Sequence, residues 1–221
     1  MLINRAVIFD MDGVIVNSEP VHEAVFYEVV EAIGHGETHG IDFSEYVGRS
    51  EQDLWKDFIA KNKPRESMEQ LLAMKRERAI HSLLTHKPIF PGLLELLEGL
   101  AGRYKLAVAS GSERAVVEAV LTLENMNRYF PVVVTAAEVE RGKPAPDIFL
   151  RVARLLEVEP KDCWVIEDSK PGVIAGLAAG MRVIALTNTH PANELQKAHH
   201  VVQDYAQLAA LLRDGSGQQN H

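Results

Sequence analysis

Cysteine is almost missing from this sequence: Cys163 stands alone among 221 residues. One thiol cannot close an internal disulfide, so the chain fits a reducing compartment. Long hydrophobic runs are missing as well. None approaches the roughly 20 apolar residues that a helix needs to cross a bilayer. The first residues show no charged stretch leading into a long apolar one, so no export signal is visible and a cytoplasmic location is expected. Basic charge is in deficit, with 23 Lys and Arg against 31 Asp and Glu and a net charge of -8. A nucleic acid or an anionic membrane surface calls for the opposite balance, and neither is expected as a partner. No internal repeat is evident.

What is present is enough hydrocarbon for a sizeable core. With 47% hydrophobic residues, 221 residues make one large domain or one domain with a small insert. Strand-like apolar runs fall at residues 5–9, 105–109, 131–135, 163–166 and 182–186. Helical patterns, with apolar residues three and four apart, lie between the later ones at 113–123, 147–156 and 171–179. That alternation predicts an α/β fold, a Rossmann-like parallel sheet, and the unbroken apolar runs suit strands covered on both faces. Val201 and Val202 suggest a further edge strand and residues 206–212 a last helix, while the polar tail 214–221 is expected to be disordered.

One region breaks the alternation. Residues 16–88 contain no convincing strand, only helical stretches at 21–33, 51–61 and 67–84 joined by the glycine-rich link 34–40 and by 62–65. The expected organisation is therefore a core of residues 1–15 and 89–213 with a helical cap, 16–88, inserted after the first strand. Open parallel sheets gather their ligands at the carboxyl ends of the strands, so such an insert is expected to serve as a lid. The alternative is a helical subdomain with no role in the site.

The strand ends carry the chemistry. The first runs into Asp10-Met11-Asp12-Gly13, two carboxylates one residue apart that repel each other and that no turn requires. The second ends in Ser110-Gly111-Ser112 ahead of a helix, an arrangement that offers free N–H groups to an anion. After the third comes GKPAPD, which sets Lys143 before another helix, and the fourth ends in Glu167-Asp168-Ser169. In a parallel sheet all four ends share one edge. Several carboxylates converging there raise one another's pKa, and a hard cation relieves the repulsion. Mg²⁺ commonly binds one or two carboxylates together with phosphate and water. Asp10 can then attack phosphorus, and Asp12 can protonate the leaving oxygen and later activate water.

Each fragment alone has an ordinary reading. The D-x-D is a loop acid pair, although not a calcium loop, since the other spaced ligands are absent. S-G-S is a helix N-cap, Lys143 a solvated surface charge, and Glu167-Asp168 a charge pair at a helix start. Four of them in this order are far more specific. The combination resembles the haloacid dehalogenase superfamily through DMDGV (10–14), Ser110 of VASGS, Lys143 of RGKPAPDIF and VIEDSKPGVIAGLAAGM (165–181), and the likeness extends over residues 5–212.

The helical insert resembles the small cap of the β-phosphoglucomutase-like subfamily. The resemblance implies a Mg²⁺ requirement and a phosphoaspartate intermediate, with Asp10 as nucleophile and Asp12 as general acid and base. It implies Ser110, Gly111 and Lys143 as phosphate ligands, and Mg²⁺ held by Asp10, the Asp12 carbonyl and Asp168 with Glu167 beside them. The dehalogenase branch lacks the second aspartate that Asp12 supplies.

The finer choice is between a phosphatase and a sugar phosphomutase. His22 matches a position where the mutases carry a histidine, and its other reading is a packed or solvated helical residue. In the loop VGRSEQD (47–53) the mutases place an arginine after the serine to grip a distal phosphate, and here that position is Glu51. Arg49 is the substitute, or a solvated loop charge. Asn17 replaces the subfamily's more usual aspartate. Lys75 is a further cap candidate, with a solvated place in MKRER as its ordinary reading. The expectation is a monomeric Mg²⁺-dependent phosphatase acting on a small phosphorylated metabolite, a sugar or sugar-alcohol phosphate, with the mutase as the alternative. A non-catalytic phosphate or metal sensor on the same fold would have no need of Asp12.

Overall fold

The computed structural model describes residues 3–46 and 51–213. The chain begins with β1 (Ala6–Phe9), followed by the helices α1 (Glu19–Ala32), α2 (Glu51–Asn62), α3 (Met68–His86) and α4 (Leu93–Leu100). Then come β2 (Lys105–Ser110), α5 (Arg114–Thr122), β3 (Val132–Thr135) and α6 (Asp147–Leu156). It ends with β4 (Cys163–Glu167), α7 (Lys170–Ala178), β5 (Arg182–Leu186), β6 (His200–Val202) and α8 (Tyr205–Arg213). Two compact units divide it: residues 1–17 with 88–221, and residues 18–87.

The first unit is built on a six-stranded sheet in the order β3-β2-β1-β4-β5-β6, every pair parallel. Its strands are hydrophobic on both faces because both are covered. Ala6, Ile8, Ala107, Ala109, Val165 and Val183 pack with residues of α6 and α7, while the alternate residues Val7, Phe9, Val108, Ile166 and Ile184 are equally buried. β1 lies at the centre, with Phe9 level with Val108 on one side and Ile166 on the other. The Asp10 amide extends the ladder by donating to the Ile166 carbonyl at 2.9 Å. Register alone therefore sets Asp10 beside the end of β4.

Two details depart from the sequence reading. The strand–helix alternation did not include α4, although Leu93, Leu96, Leu97 and Leu100 have helical spacing and all are buried. Ser110 and Ser112 are not the cap of α5. That position belongs to Glu113, whose side chain makes no capping bond, so both hydroxyls are left for other work. At α7 the N-cap is Ser169, whose hydroxyl accepts from the Gly172 amide at 3.2 Å.

Residues 18–87 are helical, with no strand among the described residues. α3 starts at a capping box in which Ser67 accepts from the Gln70 amide and the Gln70 side chain accepts from the Ser67 amide. Rings fill the interior: Phe26, Trp55 and Phe58 are fully buried, with centroids 5.2 to 6.2 Å apart. The tail 214–221 and the loop 47–50, which carries Arg49, lie outside the described residues.

Candidate active site at the carboxyl edge of the sheet

β1, β4 and the segment before α6 deliver four ionisable side chains to one place. The Lys143 ammonium donates to Asp10 Oδ1 at 2.5 Å and to Glu167 Oε1 at 2.6 Å, and it also reaches the Ala109 carbonyl at 3.2 Å. It is 13% exposed, so the reading of Lys143 as a solvated charge is overturned. Of the first strand's acid pair, Lys143 bonds to Asp10, while Asp12 accepts from Ser112. Asp10, Glu167 and Asp168 are all buried and offer oxygens within 4.8 Å of one another.

Glu167 is the most firmly held. Its second oxygen accepts from the Asp168 amide, the Ser169 amide and the Ser169 hydroxyl, at 3.1, 3.1 and 2.8 Å. A carboxylate at the start of α7 also suits the helix dipole, so the ordinary reading of this residue holds alongside its place in the site. The chain makes room for it: a Cβ at Gly172 would collide with the Glu167 carboxylate.

The charge balance is incomplete. Burial pushes the Asp10 carboxyl well above its usual range, opposed by Lys143 and reinforced by Glu167, Asp168 and Asp12. Burial and the Glu167 charge likewise raise Asp168 to about 7. For Lys143, burial works against the charge, but the carboxylates of Asp10 and Glu167 outweigh it and hold the ammonium protonated. One ammonium thus serves three buried acids, and a second cation would relieve the excess. The donor set consists of hard oxygens suited to a divalent ion. Gly13 supports the fit: with φ +75 and no side chain it lets the β1 turn approach the Asp168 carboxylate, which a Cβ there would strike.

Asp12 lies outside this cluster. Its Oδ2 accepts from the Ser112 hydroxyl at 2.6 Å, and the Ser112 amide donates to Ser110 Oγ at 3.0 Å. Asp12, Ser112 and Ser110 therefore form a chain from β1 to β2. Ser110 is fully buried and, accepting through its oxygen, keeps its own proton for a ligand. Gly111 is exposed, with open space where a side chain would stand.

His22 and Lys75 belong to the other unit. His22 is half-buried on α1. Lys75 is 7% exposed and lies on the buried stripe of α3 with Leu71, Ala79 and Leu83, which corrects its reading as a solvated lysine of the MKRER run. Glu51 is the first residue of α2.

The sequence reading missed five residues around the site. Ser112 belongs to the S-G-S read as an anion site, but the reading gave its hydroxyl no role toward Asp12. Asn188, Thr189, His190 and Tyr205 belong to segments that no strand-end motif pointed to, yet all four bond to the ends of β1 or β4. The polar run T-N-T-H directly after β5 has an ordinary turn composition and carries no local mark of these bonds.

Comparison with known proteins gives a family and relatives for the chain. The family of haloacid dehalogenase-like hydrolases matches residues 7–186. The chain is 34% identical over 181 residues to a fructose-1-phosphate phosphatase of Escherichia coli, covering 80% of this chain and 93% of that one. It is 31% identical over 216 residues to hexitol phosphatase B of the same organism, covering 93% and 92%. Among solved structures, a putative β-phosphoglucomutase of Thermotoga maritima superposes with a TM-score of 0.79 at 28% identity, covering 95% and 99%.

Proposed function

The chain belongs to the haloacid dehalogenase-like hydrolases, and on that premise we propose that it is a Mg²⁺-dependent phosphatase working through a phosphoaspartate on Asp10. It is a phosphoric monoester hydrolase, and its substrate is a small sugar or sugar-alcohol phosphate. One observation carries this reading: Lys143 clamps Asp10 in place while the carboxylate of Asp12, two residues on, is oriented by the Ser112 hydroxyl. A nucleophile needs a fixed direction, and an acid–base needs a carboxyl group separate from the nucleophile and oriented toward the reacting oxygen.

Asp10, the Asp12 backbone carbonyl and Asp168 would hold the Mg²⁺, with Glu167 anchoring Lys143 beside them. When bound, the ion neutralises charge on the phosphoryl oxygens and on Asp10. Ser110, the Gly111 backbone and Lys143 supply the remaining phosphate contacts. An Asp10 oxygen attacks phosphorus, the ester P–O bond breaks, and the leaving oxygen takes its proton from Asp12. Water then attacks the phosphoaspartate while Asp12 takes its proton, the Asp10–phosphorus bond breaks, and inorganic phosphate leaves.

A fructose-1-phosphate phosphatase and a hexitol phosphatase among the relatives support the substrate class. The likeness to a putative β-phosphoglucomutase keeps a mutase as the second reading, and Glu51, standing where the mutases' arginine is expected, weighs against it. The test is phosphate release across a panel of phosphorylated sugars and sugar alcohols with Mg²⁺, together with product analysis on β-glucose 1-phosphate and a trace of its bisphosphate. Steady release of inorganic phosphate is expected. Glucose 6-phosphate accumulating well ahead of phosphate would promote the mutase.

A further inference from the structure

The turn that follows β5, residues 187–190, bonds to two other strand ends through side chains that the reaction itself does not use. Thr189 Oγ1 donates to Asp168 Oδ2. His190 Nδ1 lies 3.1 Å from the Asp168 carbonyl, so this short segment grips both the side chain and the backbone of one residue. Asn188 Nδ2 donates to the Gly13 carbonyl at 2.8 Å and to the Tyr205 hydroxyl at 3.3 Å. The Tyr205 hydroxyl in turn donates to the Val14 carbonyl, and its ring, 6% exposed, stacks on Phe90 with centroids 6.0 Å apart. A Cβ at Gly13 would meet both the Asp168 carboxylate and Thr189 Oγ1, so the three segments converge at one point.

We propose that Thr189 is a positioning residue whose hydroxyl fixes the Asp168 carboxylate for the divalent cation, with Asn188, His190 and Tyr205 bracing its turn against the β1 and β4 ends. The inference rests on the reading of Asp168 as a metal ligand. A carboxylate on a short stem swings about χ1 and χ2, and a donor on one oxygen removes that freedom before the ion arrives. Without the hydroxyl the ion must order the carboxylate itself, at a cost in affinity. The brace has a second consequence. The Asp12 carbonyl and the Asp168 carboxylate belong to different strands, and the bonds from Asn188 to Gly13 and from Thr189 to Asp168 hold those strands' loops at a fixed spacing.

The test is isothermal titration of Mg²⁺ into the full chain without substrate, alongside chemical unfolding in chelator. Thr189→Val removes the hydroxyl at nearly constant volume and should weaken Mg²⁺ binding about tenfold or more, the loss usual for residues that orient metal ligands. Thr189→Ser should restore affinity to within about threefold of the wild type by returning the hydroxyl. Unfolding in chelator should be cooperative for all three and leave each variant folded under the titration conditions, so that a lost affinity is not a lost fold. Should the valine fail to pack, Thr189→Ala deletes the same hydroxyl and is read by the same limits. Wild-type affinity in the valine or alanine variant, or no rescue by serine, overturns the positioning role alone. A wild-type protein that binds no Mg²⁺ overturns this inference together with the metal-dependent reading of the site.

Discussion

At the carboxyl edge of the sheet, Lys143 lies between Asp10 and Glu167 with Asp168 beside them, the three acids buried and all four fixed by hydrogen bonds. In residues 18–87 the interior is Phe26, Trp55 and Phe58, packed ring against ring. The first arrangement is expensive to build and restricts its residue types, because one ammonium has to offset three buried acids. The second is bought with hydrocarbon and accepts many substitutions of similar volume. Chemistry restricted to a few residue types leaves a fixed signature in a sequence, whereas packing leaves only a period. Substitutions should therefore cost most at the sheet edge and least in residues 18–87.

The largest effect is expected at Asp10. Asp10→Asn keeps the shape of the side chain and cannot attack phosphorus, so phosphate release should fall by at least about 10³-fold. The fold should survive, because the change removes one of three crowded buried acids. Substantial residual turnover, measured on protein with a normal unfolding curve, would place the nucleophile elsewhere.

Lys143 tests whether the site is also structural. Lys143→Ala leaves Asp10 and Glu167 buried without their shared ammonium, and breaking such a pair costs about 3–5 kcal/mol. Urea unfolding in chelator should show that loss as an earlier midpoint with an unchanged slope. A loss below about 1 kcal/mol would mean that the carboxylates protonate or rehydrate readily and that the charge-for-charge account is wrong.

These contrasts also explain what the sequence made legible. Asp10, Ser110, Lys143, Glu167 and Asp168 were found because a parallel sheet must bring strand ends to one edge, and the observed register does so. The helix α4 escaped because it is short and lies outside the strand–helix alternation. Thr189 and Asn188 escaped for a different reason: threonine and asparagine after a strand are ordinary turn residues, and nothing local marks a hydroxyl that reaches back to another strand. Lys75 was misjudged because the charges around it in MKRER suggested a solvated face, while its burial follows the four-residue spacing from Leu71 to Ala79.

A smaller effect concerns pH. In metal-free protein Asp168 titrates near 7, far above the roughly 3.9 of an unfolded aspartate. The folded state then holds a proton that the unfolded state has released, so this group favours folding at low pH and loses that contribution as pH rises through about 7. Unfolding in chelator should therefore show stability declining between about pH 5 and pH 8. Saturating Mg²⁺ should flatten or reverse the decline. A metal-free protein equally stable across that range would mean that Lys143 already neutralises the cluster and that no second cation is called for.

The smallest effects belong to residues 18–87, and they decide whether substrate choice resides there. Lys75 is the sharper probe, since a lysine on the buried stripe of α3 is costly to keep unless its ammonium has a task. Lys75→Met keeps the apolar stem and removes the charge, and His22→Asn keeps a polar group of smaller size. If these side chains select the substrate, the kcat/KM ranking across phosphorylated sugars and sugar alcohols should be reordered. Individual substrates should shift by about 1–3 kcal/mol of discrimination, or roughly 10- to 200-fold. All substrates falling by one common factor would mean that the two residues act on the shared phosphoryl chemistry. An unchanged ranking would leave selection to other polar groups, with Arg49 the next to exchange. Either result bears on the contrast between the two regions. A common factor would join residues 18–87 to the charge network of the sheet edge, while a reordered ranking would keep catalysis and selection in separate parts of the chain.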